Sequence, residues 1–145
     1  DRPRLRYRRR MLNPEQTVLE ANSEFYEAFA ASDLRAMGHV WARKEHVVCL
    51  HPGWQVLRGR EQVMASWRAI FEGGAPPIRC TDAAVVLLDQ VAVVTCVERL
   101  PSTKLAATNI FVLEEGLWRL VHHHAGPFQE RDLPAEPTLP PHSLN

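Results

Sequence analysis

The chain has 145 residues, of which 46% are hydrophobic, and its 17 basic residues balance its 17 acidic residues. A chain of this size builds one domain around one core, and we expect no second domain. The even charge balance argues against a general electrostatic surface for nucleic acid, and no apolar run is long enough for a transmembrane helix.

The first ten residues depart from this balance, because six of them are arginine. No apolar run of the length of a secretory signal core follows them. We interpret residues 1–12 as a basic leader, disordered or derived from expression, with Met11 as a native start. The alternative is a basic arm that binds nucleic acid.

Start and stop signals predict three helices in the first half of the chain. Asn13 before Pro14 is an N-cap followed by proline at the first helical position, and Gln16 completes a capping box. Ser32-Asp33 caps a second helix, and Gly73-Gly74 ends a third. Apolar residues recur at helical spacing within each segment. The predicted helices are 14–31, a shorter one over 34–41, and 60–72.

Strand patterns dominate the second half. A short strand over 46–50 ends at the loop His51-Pro52-Gly53, because proline cannot continue a ladder. From Ile78 onward, β-branched and aromatic runs are separated by hairpin-length connections, which predicts an antiparallel meander. Helices first and a bent sheet afterwards predict an α+β fold with the helices on one sheet face. The four predicted strands are 78–88, 91–100, 105–115 and 117–125.

The other sheet face also needs a cover. Residues 83–88 and 91–94 do not alternate apolar with polar, as a sheet with one solvated face does. We therefore predict a homodimer through this face. The domain spans 13–128, and residues 129–145, which carry four prolines, form an extended, poorly ordered tail.

Three cysteines, an odd number, lie in apolar strand-like sequence: Cys49, Cys80 and Cys96. This pattern is typical of reduced, buried thiols, so we expect a cytoplasmic protein.

Histidines provide the first candidate site residues. His51 stands at a strand end, where a polar side chain can face a cavity. Strand alternation places His122 and His124 on the face of Trp118 and Leu120, and His123 on the opposite face. If that first face meets the helices, His122 and His124 line the cavity. A hydrogen-bonded core role for His122 is the alternative. The pair would give two zinc ligands, but a third is not visible, so we expect no metal.

Asn109 and Glu98 are polar residues in otherwise apolar strands. Burying such a group without a partner costs about 1–3 kcal/mol, which argues for a role. Glu98 is either a site residue or the partner of Arg79 or Arg60 in an internal ion pair. Trp54 and Trp67 are candidates for an aromatic wall, although Trp67 also fits the core.

The order of these elements resembles the nuclear transport factor 2-like superfamily, more narrowly its SnoaL-like members and ketosteroid isomerase-like branch. The resemblance covers 14–127 and includes the strings Phe25-Tyr26-Glu27-Ala28-Phe29, His51-Pro52-Gly53 and Trp118 to Gly126. The last string also resembles the association domain of calmodulin-dependent kinase. The resemblance implies a cone-shaped α+β barrel whose open mouth holds a small molecule. It also places His51 where ketosteroid isomerase-like members carry an aspartate general base, and Tyr26 near a pocket hydroxyl donor.

We therefore expect a dimeric pocket protein that binds an apolar or mixed-polarity small molecule and transfers a proton on it without a cofactor. His51 would be the base, and His122 and Asn109 would polarise or orient the substrate. The alternative is a non-catalytic ligand-sensing or association domain. A role with membranes or nucleic acid is not expected. Predicted ligand-binding residues are Tyr26, Trp54, Trp67, Glu98, Phe111 and His124.

Overall fold

The computed structural model describes residues 13–135. It contains three helices, α1 (Pro14–Ala30), α2 (Leu34–Val40) and α3 (Arg60–Glu72). The six strands are β1 (Val48–Leu50), β2 (Leu57–Arg58), β3 (Arg79–Leu88), β4 (Val91–Arg99), β5 (Lys104–Glu114) and β6 (Leu117–Pro127). The predicted α+β class, with three helices on a curved sheet, is confirmed, and the sheet is mostly antiparallel. The basic leader and residues 136–145 of the tail lie outside the described residues.

The predicted N-caps of the first two helices form the expected contacts. The Asn13 side chain accepts a hydrogen bond from the Gln16 amide at 2.8 Å, and Asp33 accepts one from the Ala36 amide at 3.0 Å. These bonds satisfy amide groups that the first turn of a helix leaves unpaired. Gly59 precedes α3 with φ 85°, a conformation that strains any residue with a Cβ. Local sequence therefore sets where each helix begins.

The strands form one sheet in the order β2-β1-β6-β5-β4-β3. The predicted meander of β3 to β6 is present, and β1 joins it in parallel alongside β6. Cys49 consequently pairs with His123, which brings the end of β1 to the middle of the sheet. His51, just after β1, is delivered to the same region.

The core fills the space between the helices and the inner face of the sheet. Phe25, Trp67, Phe111 and Leu120 are fully buried there. Phe25 and Trp67 pack edge to face with ring centroids 5.6 Å apart, a favourable aromatic geometry. None of the helices within residues 13–135 is long and apolar enough to cross a membrane.

Candidate functional site

A cluster of polar side chains is buried between α1 and the inner face of the sheet. None of its members is more than 5% exposed. Polar groups at such depth destabilise a fold unless they are hydrogen-bonded, so the partners of each one matter. We call this set the polar cluster: Asn22, Tyr26, Cys96, Glu98, Asn109 and His123.

Secondary structure brings the members of the polar cluster together. Asn22 and Tyr26 are four residues apart on α1 and so share one face of the helix. Cys96 and Glu98 are two apart on β4, and both face inward. Asn109 on β5 lies directly opposite His123 on β6. The helix and three neighbouring strands therefore converge on one volume.

Hydrogen bonds link four of these side chains. Asn109 Nδ2 donates to the Tyr26 hydroxyl at 3.1 Å, and that hydroxyl donates to Glu98 Oε2 at 2.7 Å. Asn109 Oδ1 accepts from His123 Nδ1 at 2.6 Å, because the amide nitrogen already donates to Tyr26. His123 Nε2 then lies 3.7 Å from Glu98 Oε2, which closes a ring of groups. His123 is thus the Nδ1–H tautomer, with its Nε2 lone pair turned toward Glu98.

Further contacts extend the polar cluster on the α1 side. Asn109 Nδ2 also donates to Asn22 Oδ1 at 2.9 Å. Asn22 Nδ2 donates to Cys80 Sγ at 3.6 Å, and Cys96 Sγ lies 3.2 Å from the Tyr26 hydroxyl. Since the Tyr26 proton goes to Glu98, the Cys96 thiol donates to Tyr26. The three cysteines are free thiols, as expected, although Cys80 is only half-buried.

The expectation that His122 and His124 line the cavity is wrong. The ladder between β5 and β6 pairs Ile110 with His122 but Phe111 with Leu120, so one residue of β6 forms a β-bulge. A bulge reverses the alternation of side chains beyond it. Leu120 and His123 are therefore both inside and buried, whereas His122 and His124 are on the outer face.

Burial shifts the ionisable groups of the polar cluster toward their neutral forms. It raises the pKa of Glu98 to about 7, because a carboxylate loses its hydration inside the protein. It lowers the pKa of His123 to about 3, with smaller contributions from neighbouring histidines. The pKa of Tyr26 is raised, first by burial and then by the Glu98 charge. Glu98 is therefore the group of this cluster that changes charge near neutral pH.

His51 lies beside the polar cluster in a second hydrogen-bonded group. Its Nε2 is 2.9 Å from Ser66 Oγ, and the Ser66 hydroxyl donates to the Val63 carbonyl oxygen at 2.6 Å. Because a hydroxyl has one proton, His51 Nε2 must donate to Ser66, which leaves Nδ1 unprotonated. Cys49 Sγ lies 3.8 Å from that Nδ1. His51 is 5% exposed, and its ring is 6.4 Å from that of His123 between centroids.

Acid should destabilise the fold through His51. Burial lowers the pKa of His51 to about 4 from 6.5, so below pH 6.5 the unfolded chain takes up a proton that the folded chain refuses. The free energy of unfolding should fall by about 2–3 kcal/mol through this group between pH 6.5 and 4. His51→Gln keeps a donor for Ser66 but cannot be protonated. In urea unfolding, its free energy of unfolding should therefore fall by about 2–3 kcal/mol less than that of wild type between pH 6.5 and 4. His39→Gln, at an exposed position of α2, is the matched control. Equal acid slopes in the two variants would contradict the prediction.

The aromatic residues predicted for the site have different environments. Trp67 is fully buried and packs against His51 with ring centroids 4.7 Å apart, and Phe111 is buried in the core. Trp54 is 44% exposed, and its ring centroid lies 5.0 Å from that of His51. Trp67 Nε1 is a buried donor that has no hydrogen-bond partner within residues 13–135. Trp67 thus combines a core position with a free polar atom.

The alternative of an internal ion pair between Glu98 and Arg60 is wrong. The Arg60 guanidinium donates instead to the carbonyl oxygens of Gly38, Trp41 and Ala42 at the end of α2. These carbonyls would otherwise lack partners where the helix ends. Arg79 is exposed, and in the register of β3 and β4 it lies opposite Arg99. Glu98 Oε2 lies instead 3.7 Å from Nε2 of the neutral imidazole of His123.

A separate groove of about 540 Å³ lies between α1, α2 and the β5–β6 turn. Its walls include Glu20, His39, Leu113 and Trp118. None of the predicted site residues lines it. The buried polar groups and this groove are thus different parts of the molecule.

Sequence reasoning missed four of the residues that build the site: Asn22, Ser66, Cys96, which was expected only as a buried thiol, and His123. Asn22 was detectable, because it lies on the buried face of α1 between Val18 and Tyr26, where an amide is out of place. Ser66 carries no such signal, since serine occurs on either face of a helix. His123 was placed on the wrong face because no local pattern announces the bulge in β6.

The fold and the site define a class of protein: a small α+β cone with a titratable polar interior. Residues 18–128 match the family model of the SnoaL-like domain, and the chain belongs to this family. The predicted membership of the nuclear transport factor 2-like superfamily is confirmed.

Three similar proteins cover most of the chain. A candidate calcium/calmodulin-dependent protein kinase type II association domain from Thiobacillus denitrificans is 36% identical, with a TM-score of 0.68 over 75% of this chain and 93% of its own. A candidate dehydratase of the NTF2-like family from Streptomyces avermitilis is 29% identical, with a TM-score of 0.73. The match covers 79% of this chain and 96% of that protein. The F-box protein SKIP8 of Arabidopsis thaliana is 26% identical over 113 residues. That match includes 76% of this chain but only 49% of SKIP8, so the chain spans about half of that relative.

Proposed function

We propose that this domain binds an apolar small molecule and transfers a proton on it, as an isomerase, cyclase or dehydratase does. The observation that carries the proposal is Glu98, a carboxyl group buried in the polar cluster with a pKa of about 7. A general acid–base group works best when its pKa is close to the working pH. His51, with a pKa of about 4, is a weaker base near neutrality, so Glu98 replaces it as the proton-transfer group.

The groups around Glu98 supply orientation rather than charge. The Tyr26 hydroxyl donates to Glu98 Oε2, and Asn109 fixes Tyr26 in turn. Both have the geometry of positioning residues. Trp67 Nε1, one of the buried donors that have no partner within residues 13–135, would donate to a substrate oxygen that gains negative charge. No cofactor is needed for such a step.

The surroundings favour an apolar substrate. Phe25, Phe29, Trp67 and Phe71 pack around one another beside the polar cluster. A few polar atoms set within aromatic walls are typical of small-molecule sites. Trp54, 44% exposed next to His51, is where this region comes nearest to solvent among its aromatic residues. The dehydratase description of the Streptomyces avermitilis relative agrees with this class of chemistry.

Deuterium exchange tests the proposal without knowledge of the product. The protein is incubated in D₂O with a panel of steroid, terpenoid and polyketide-like ketones, and mass spectrometry counts the deuterium that each compound gains. Wild type should accelerate exchange at a carbon next to the carbonyl of at least one chemical class. Glu98→Gln should lose about 10²-fold or more of that rate, and Glu27→Gln, at an exposed position of α1, should retain it.

The remaining outcomes separate the alternatives. Exchange that survives in Glu98→Gln would contradict the role of Glu98. Binding of a compound, seen as a concentration-dependent rise in melting temperature, without any exchange would indicate a ligand-sensing domain. Neither binding nor exchange across the panel would contradict the proposal in this form.

Self-association is a second candidate function, favoured by the outer face of the sheet. Val86 and Leu88 on β3 are 57% and 58% exposed, and Val93, Val97 and Ile110 share this face. A second copy covering the face would bury this apolar surface; a standard interface takes about 800 Å² from each partner. The association-domain description of the Thiobacillus denitrificans relative agrees with this role. Sedimentation equilibrium should show a dimer that Leu88→Glu dissociates, and a monomeric wild type would contradict it.

A further inference from the structure

Two histidines stand side by side on the outer face of β6. His122 is half-buried and His124 is exposed, and their ring centroids are 6.5 Å apart. Residues two apart on a strand point the same way, so both imidazoles project from the sheet in one direction. The bulge that turns His123 inward is what turns this pair outward.

The spacing of the pair suits two ligands of one metal ion. Imidazole nitrogens bind Zn²⁺ at about 2.0–2.1 Å, so two rings in a tetrahedral site have centroids roughly 5 Å apart. A small side-chain rotation closes the remaining gap. Their neighbours across the strands are Val48, Leu50, Thr108 and Ile110, which offer no competing charge. Within residues 13–135 no cluster of three potential ligands exists, so one copy supplies half of a tetrahedral site.

The position of the pair in the sheet brings in the other half. β6 is the third strand of six, and His122 and His124 pair with the middle of β5. In a two-fold symmetric interface, the residues nearest the axis meet their own copies. A symmetric dimer whose two-fold axis passes beside this pair, at the middle of the sheet, places four imidazoles around one point.

We infer that two copies of this chain bind one zinc-class ion between them, through His122 and His124 of each copy. The inference rests on the self-association proposed above. Four neutral nitrogen ligands in a closed, largely apolar interface fit a structural site that holds a dimer together. The ion would add to the stability of the dimer because it binds that state alone.

The test uses the full chain with ZnCl₂ or with EDTA. Sedimentation equilibrium gives the dimer dissociation constant, and elemental analysis of the dialysed protein gives the zinc content. We expect one zinc per two chains and a dimer about tenfold or more tighter with zinc than with EDTA. The double variant His122→Asn/His124→Asn should contain no zinc, and its dimer dissociation constant should be the same with zinc and with EDTA. His46→Asn, an exposed histidine before β1, should keep both.

Other outcomes separate this inference from the dimer itself. A dimer that is equally tight with zinc and with EDTA would overturn the metal site and leave self-association intact. One zinc per chain would overturn the shared site, as would zinc retained by the double variant. A monomer under both conditions would overturn both proposals. Cobalt(II) is a second probe: strong visible absorption, expected for tetrahedral ligands, must appear in wild type and be absent from the double variant.

Discussion

Glu98→Gln is expected to make the protein more stable than wild type in alkaline solution. Glu98 is 2% exposed, and burial raises its pKa to about 7 from 4.5. Between these values the folded chain holds a proton that the unfolded chain has lost, so the free energy of unfolding of wild type falls as pH rises through 7. A glutamine has no charge to bury, and its amide can donate to His123 Nε2. The variant should exceed wild type by about 2–3 kcal/mol at pH 8–9.

Urea unfolding at several pH values provides the measurement. The difference between variant and wild type should be smallest near pH 5 and level off above pH 8. Glu27→Gln, at an exposed position, should show no such dependence. If Glu98→Gln is instead the less stable protein at pH 9, then the ionised carboxylate has a favourable partner and its pKa is not raised. The same variant is used in the deuterium-exchange experiment. Because it is expected to remain folded, a loss of exchange there would reflect the missing carboxyl group and not unfolding.

Asn109→Leu is expected to destabilise the fold by about 3–5 kcal/mol. Asn109 is fully buried and bonds to Asn22, Tyr26 and His123. Leucine has a similar size but no polar atoms, so three buried groups lose a partner at about 1–3 kcal/mol each. Thr108→Val, the neighbouring residue on the outer face of β5, should change the free energy of unfolding by about 0.5 kcal/mol or less. Urea unfolding at pH 7 measures both.

A double-mutant cycle separates this mechanism from a simple loss of packing. Removing Asn22 as well abolishes one of the unpaired groups that Asn109→Leu creates. Asn22→Ala/Asn109→Leu should therefore cost about 1–2 kcal/mol less than the sum of the single variants. Strictly additive losses would mean that the 2.9 Å bond between the two amides contributes nothing to stability.

The consequences for function follow from the same network. Glu98 is buried between helix α1 and the sheet, and this burial raises its pKa. The Tyr26 hydroxyl donates to the carboxyl, and Asn109 Nδ2 donates to that hydroxyl in turn. In the proposed function, the burial that disfavours the ionised carboxylate is also what brings its pKa close to the working pH.

The sequence alone was sufficient for the three helices, for every described strand except β2, and for several site residues. Asn13, Asp33 and Gly59 act on the backbone next to them, so helix starts could be predicted within a residue. The polar character of Asn109 and Glu98 in apolar strands marked them as buried groups in need of partners. His51 was identified from the proline that ends its strand. Each of these signals is local, and each depends on chemistry within a few residues.

The arrangement of the site was decided by tertiary structure. The bulge in β6 depends on its pairing with β5. It turns His123 to the inner face of the sheet and His122 and His124 to the outer face. The parallel pairing of β1 with β6 sets His51 beside His123, although 72 positions of sequence separate them. The raised pKa of Glu98 results from its burial, which requires elements that are distant in the sequence. Alternation and periodicity describe one strand or helix at a time, whereas register, burial and pKa arise only when elements pack together.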